Sequence, residues 1–156
     1  MPSITPFLWF DNNAEEAIRL YASIFKNSKI GEIRRYGEGS PFPAGTLMMA
    51  DFELEGQKFM ALNGGPHFKF TEAISLFVSC ETQEEVDELW DRLSAGGHKS
   101  QCGWLKDKFG LSWQIIPKAL GELLGDPDEE KSGRVMQAML QMSKIDVKLL
   151  EQAHQG

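Results

Sequence analysis

NAEEAIRLY (residues 13–21) and TQEEVDELW (residues 82–90) decide how this chain is read. Each opens on a polar residue suited to a helix N-cap, Asn13 and Thr82, and carries Glu three residues later, the capping-box spacing. Each then shows an apolar stripe at helical spacing, with Ala17, Ile18 and Tyr21 in the first and Val86, Leu89, Trp90 and Leu93 in the second. The offset between them is 69 residues, from Glu15 to Glu84. At that offset Asn13 meets Thr82, Leu20 meets Leu89 and Tyr21 meets Trp90.

The repeat extends outward. ITPFLWF (4–10) and ISLFVSC (74–80) are apolar, strand-like runs that lead into the two helices. The same offset sets Phe7 against Leu76 and Leu8 against Phe77. Strand-like stretches follow the first helix at 29–36, 46–54 and 57–63, with Glu55-Gly56 as a tight hairpin. After the second they follow at 99–101, 103–107 and 111–117, with a turn at Lys108-Phe109-Gly110. YGEGSPFPAG (36–45) reads as a loop. The chain is therefore two diverged copies of a strand–helix–strands module. Beyond Pro117 the pattern becomes helical. A short helix is expected over 119–125 and another from Asp126-Pro127-Asp128, with Val135, Met136, Met139, Leu140 and Met142 on its apolar side. A last turn or helix covers 145–153.

Composition limits the function. A length of 156 residues fits one domain with a core of its own. The net charge of −7, without a long basic run, argues against a nucleic-acid partner. No apolar run approaches the ~20 residues that span a bilayer, so no membrane is expected. The two cysteines, Cys80 and Cys102, form no C-x-x-C motif or disulfide framework, which points to a reducing cytoplasm. Cys102 lies near Lys106 and Lys108, but no base is identifiable beside it, and a small strand thiol is the simpler reading. The histidines His67, His98 and His154 share no ligand spacing.

FLWFDNNAEEAIRLY, ALNGGPHFKFTEAISLFVSC and CGWLKDKFGLSWQIIP, with the tail DPDEEKSGRVMQAML, resemble the PhnB-like, or 3-demethylubiquinone 3-methyltransferase-like, family. That family lies within the vicinal oxygen chelate (glyoxalase/bleomycin-resistance/dioxygenase) superfamily. The resemblance runs over essentially the whole chain, tail included. It implies an α+β, glyoxalase-like fold of two βαβββ modules in curved mixed sheets. The residues themselves set the domain at 1–118, with modules at about 1–65 and 72–118, and a helical extension at 119–156 expected to pack on the domain or on a dimer partner. A homodimer is implied, with the Met-bearing tail as a contributor.

Metal-using members resemble one another at four ligand points. Carried over singly, these fall at Pro6, Met60, Ser75 and Gln114. Pro6 has no side-chain donor atom, and neither Met60, Ser75 nor Gln114 supplies an anionic oxygen, so no metal and no cofactor are expected. Methyl transfer is not expected either. The familiar S-adenosylmethionine enzymes use a parallel sheet with a Gly-rich loop opening a helix, whereas Gly37-Glu38-Gly39 runs into Ser40-Pro41-Phe42-Pro43. What remains is a pocket with Trp9, Phe68, Phe70, Trp104 and Trp113 as apolar candidates and Asn63, His67 and Gln114 as polar ones. The expected function is metal-independent binding of a small, partly apolar molecule. A lyase or isomerase using side-chain acid/base groups in the same cleft is the alternative, followed by a metalloenzyme. Whether the chain catalyses anything is left open.

Overall fold

The computed structural model describes residues 1–156, which divide into two compact units, Met1–Phe70 and Thr71–Gly156. In the first, β1 (Phe7–Phe10) leads into α1 (Ala14–Ile24), then β2 (Ser28–Arg35), β3 (Leu47–Leu54) and β4 (Gln57–Asn63). In the second, β5 (Ser75–Cys80) leads into α2 (Gln83–Ser94), then β6 (His98–Lys99), β7 (Trp104–Lys106) and β8 (Ser112–Pro117). Three further helices follow, α3 (Lys118–Leu124), α4 (Glu129–Leu140) and α5 (Val147–Gln155). The sheet orders are β1-β4-β3-β2 and β5-β8-β7-β6. In each the outer strand pair, β1–β4 or β5–β8, is parallel and the others antiparallel. This is the expected α+β plan, stated twice.

The helices superpose at the expected offset. Ala17, Tyr21 and Ile24 of α1 are buried, as are Val86, Trp90 and Leu93 of α2, each 69 residues on. The leading strands do not. Leu8 is buried at 8% exposure, whereas Phe77, its expected counterpart, is 61% exposed. Phe77 instead matches the exposed Phe7, and Cys80 matches the buried Phe10, an offset of 70. The cause is the link to the helix, three residues (11–13) in the first module and two (81–82) in the second. Because side chains alternate at period 2, that single residue reverses the face assigned to every position of the strand.

The helix caps differ as well. Asn13 makes no side-chain cap, contrary to the capping-box expectation. The N-terminal Ala14 N–H of α1 instead donates to Oδ1 of Asn63, at the end of β4, at 2.9 Å. Asn63 Nδ2 donates to the Leu47 carbonyl at 3.0 Å, and its own carbonyl accepts from the Tyr36 hydroxyl at 2.8 Å. In the strand pairing Asn63 sits opposite Phe10 as Pro117 sits opposite Cys80. Proline has no side-chain group for this task, and α2 caps itself. Thr82 accepts from Glu85 N–H, and Glu85 reaches back to the Glu81 N–H.

The Glu55-Gly56 hairpin forms as expected, with both residues at positive φ (48° and 84°), the type I′ combination that suits strand twist. The helical tail builds a small core of its own on β8, from Ile116, Leu120, Val135, Met142, Ile145 and Leu150. Met136 and Leu140, assigned to the apolar side of α4, are 40% and 47% exposed. Val135, Met139 and Met142 do face the core as expected, joined by Ala138. No helix is long and apolar enough to cross a membrane.

Candidate functional site

Each sheet buries one face against its helix and leaves the other open. In the first, Leu8, Phe10, Ala50, Phe52, Phe59 and Ala61 form the buried face. Strand alternation then puts Phe7, Trp9, Met49, Asp51, Met60 and Leu62 on the open one. In the second, Trp113 and Ile115 face inward, and Ser75, Phe77, Trp104, Lys106, Ser112 and Gln114 share the open face.

This parity sorts the pocket candidates. Asn63 and Trp113 are corrections, since both belong to the buried faces. Asn63 spends both amide atoms on the cap and on Leu47. The Trp113 indole N–H donates to Oδ2 of buried Asp107 at 2.9 Å, while Asp107 Oδ1 accepts from the Phe109 and Leu111 N–H groups. That network shapes the turn between β7 and β8. Trp9 is half-buried, and its indole N–H donates to the Gly65 carbonyl at 3.0 Å. Its ring lies so close to Gly64 that a Cβ there would fall 2.3 Å from it, which only glycine permits. Phe68 packs edge-on against Trp9, and Phe70 edge-on against Phe10. His67 is exposed on the same 64–70 loop. Trp104 and Gln114, paired across β7 and β8, are half-buried on the second open face.

The four metal positions inherited from the resemblance do not make a cation site. Pro6 contributes only its carbonyl, which accepts from the Met60 N–H at 2.9 Å. Met60 is a half-buried thioether, a soft donor ill suited to a hard divalent ion. Ser75 and Gln114 are joined to each other, Gln114 Nε2 donating to Ser75 Oγ at 2.9 Å. With β5 offset by 70, Ser75 is the counterpart of Thr5 rather than Pro6, which adds no carboxylate. No group of three His, Cys, Asp or Glu side chains is placed to hold an ion.

The second open face carries a cavity of about 360 Å³, lined by Glu72, His98, Lys99, Ser100, Trp104, Leu105, Lys106 and Ser112. Of these, only Trp104 is among the pocket residues expected from the sequence. The rest come from β6, from the edge of β7 and from the segment before β5, whose convergence no local pattern records. Lys106 pairs with Glu72, and this hydrogen bond holds the Glu72 carboxyl below its ordinary range. Ser112 is 1% exposed, and its hydroxyl is the one buried side-chain oxygen or nitrogen without a hydrogen-bond partner. The first open face has a smaller cavity of about 230 Å³, lined by Glu32, Arg34, Met49, Ala50, Asp51 and Met60. The Cys80 thiol is buried and held protonated. Burial raises the Cys80 thiol to about 11. Cys102 occupies a turn at φ 60°, its N–H bonded to the Met142 carbonyl.

Comparison with known proteins agrees with this architecture. The family model described as 3-demethylubiquinone-9 3-methyltransferase matches residues 2–116. Among solved structures, the PhnB protein of Bacillus cereus is 41% identical, with a TM-score of 0.70 over 74% of this chain and 99% of that one. A protein of Pseudomonas aeruginosa shares the fold at 22% identity and TM-score 0.63, over 75% of this chain and 98% of that one. The fosfomycin resistance protein FosX of Listeria monocytogenes, complexed with Mn(II) and sulfate, shares it at 17% and 0.53, over 72% and 88%. No curated protein matches. The family match stops at residue 116, which corrects the expectation that it includes the tail: α3–α5 lie outside it. With its repeated module, its mixed sheets and this match, the chain belongs to the 3-demethylubiquinone-9 3-methyltransferase, PhnB-like, family of the vicinal oxygen chelate superfamily.

Proposed function

We propose that this chain is a metal-independent binding protein for a small, partly apolar molecule, held on the open face of the second sheet. The observation that carries this reading is the cavity of about 360 Å³ beside Trp104, within the size range of small-molecule sites. It combines one aromatic surface with a few polar groups, the usual composition of such sites. The donor set at the inherited ligand points supports a mechanism without a metal ion. Methyl transfer, which the family's name carries, is not part of the reading. Both sheets are mixed, and Gly37 and Gly39 lie in the loop between β2 and β3 rather than before a helix.

The second reading, a lyase or isomerase working by side-chain acid/base groups, needs a carboxyl or imidazole tuned toward neutrality. Glu72 moves the other way, because Lys106 stabilises its charged form. Binding therefore ranks first. We also propose a homodimer, supported by the exposed Phe7, Phe68, Ile74 and Phe77.

A thermal-shift screen of the full chain against aromatic metabolites and antibiotics, with and without added Mn2+ or Zn2+, tests the proposal. Stabilisation by one ligand class, unchanged by metal or chelator, is the expected result. Ligand binding that appears only with stoichiometric metal would overturn it.

A further inference from the structure

We propose that the cavity of the second sheet takes a small organic anion, a flat ring lying on Trp104 with an oxyanion group that reaches Lys106 and the Ser112 hydroxyl. The inference rests on the binding reading above and names the chemical class of the ligand.

The first support is the Ser112 hydroxyl. A buried hydroxyl without a partner is unfavourable, and native structures seldom keep one. Gln114 Nε2 is committed to Ser75 Oγ on the same open face, while the buried Ser112 hydroxyl in the cavity lining has no partner. An acceptor atom on a ligand would satisfy it.

The second support is charge. The chain carries −7 overall, yet the cavity lining holds Lys99 and Lys106 against Glu72 alone, with His98 beside them. A locally cationic recess on an acidic molecule favours anions over the protein's own surroundings. The Glu72 carboxylate already rests on Lys106, showing that the ammonium group accepts an oxyanion there. Glu72 is exposed and precedes β5, so an incoming carboxylate or phosphate exchanges with it rather than with a core group.

The third support is rigidity. Trp104 follows a turn pinned by the tail. Cys102 N–H donates to the Met142 carbonyl at 2.8 Å and Gly103 N–H to the Ser143 carbonyl at 2.9 Å. Gly103 has φ 84°, and a Cβ there would meet Ile116 Cδ1 at 2.7 Å, so the turn has little room to shift. A fixed aromatic surface loses less freedom on binding than a mobile one.

Calorimetric titration of the full chain with benzoate, phenyl phosphate and neutral benzamide tests the inference. The anionic probes are expected to bind about tenfold or more tighter than benzamide and to weaken with salt. Ser112→Ala is expected to weaken anion binding while preserving or raising the melting temperature of the ligand-free protein, because it removes an unpaired buried hydroxyl. Lys106→Gln should weaken it as well. Glu72→Gln should tighten it, since it removes the competitor for Lys106. Benzamide binding equal to benzoate, anion binding indifferent to Lys106→Gln and Ser112→Ala, or weakening by Glu72→Gln would each overturn the anionic class. So would failure of both anions to bind at millimolar concentration. In any of these cases a neutral hit from the thermal-shift screen would leave the binding reading standing.

Discussion

Asn63 shows how much one side chain contributes when it joins elements distant in sequence. It caps α1 from the end of β4 and ties Leu47 to the same point, while Asn13 in the cap position itself contributes no side-chain bond. Asn63→Ala is expected to cost about 1–3 kcal/mol, Thr82→Ala about 1 kcal/mol and Asn13→Ala a few tenths, measured by urea unfolding. Equal losses at Asn13 and Asn63 would contradict this assignment. Asp107 is the second such residue. Its buried carboxylate accepts from two backbone N–H groups and from Trp113, so Asp107→Ala should cost about 3 kcal/mol or more. Glu15 acts at the surface and its effect depends on pH. Arg35 and then Arg19 hydrogen-bond its carboxylate and lower its pKa from 4.5 to about 2. Because the folded value is the lower one, the stabilisation is present above about 4.5 and is lost as pH falls toward 2. Solvent screening keeps it small. Glu15→Gln should flatten the acid limb of the stability profile in that window and leave the neutral-to-alkaline slope unchanged.

At the scale of elements, the tail is the part of the chain beyond the family match, and it is tied into the second unit. Gln83 at the start of α2 donates to the Ile145 carbonyl and accepts from the Val147 N–H, and Lys144 pairs with Asp87. Ile145 is fully buried in the cluster that also holds Ile116 of β8. Ile145→Ala is expected to destabilise by about 2–5 kcal/mol, the range for emptying such a site. Its signature should be local, with faster hydrogen exchange at the Cys102 and Gly103 amides, which bond to the tail, and unchanged exchange in β1–β4. Uniform loss of protection across both units would contradict that view of the tail. The same scale explains the register difference between β1 and β5. Helix periodicity is robust to a shorter link because a helix can rotate to present its stripe. A strand has only two faces, so one residue fewer exchanges them.

For the whole molecule, the proposed homodimer is expected to appear as a two-chain species in sedimentation at micromolar concentration, and a monomer there would count against it. The repeated module, both helices, the Glu55-Gly56 hairpin and the α+β plan were all legible in the sequence. The reason is that amphipathic period, helix capping spacing and turn chemistry are local properties, each written within a few residues. That Pro6, Met60, Ser75 and Gln114 carry no carboxylate is a matter of residue identity alone. Only the tertiary structure decided which side chains meet. It turned Trp113 and Asn63 inward, gave the α1 cap to a residue 49 positions away, and gathered Glu72, His98, Lys106 and Ser112 around one cavity. These outcomes depend on strand register and on long-range hydrogen bonding, which are set by how elements pack and leave no periodic trace along the chain.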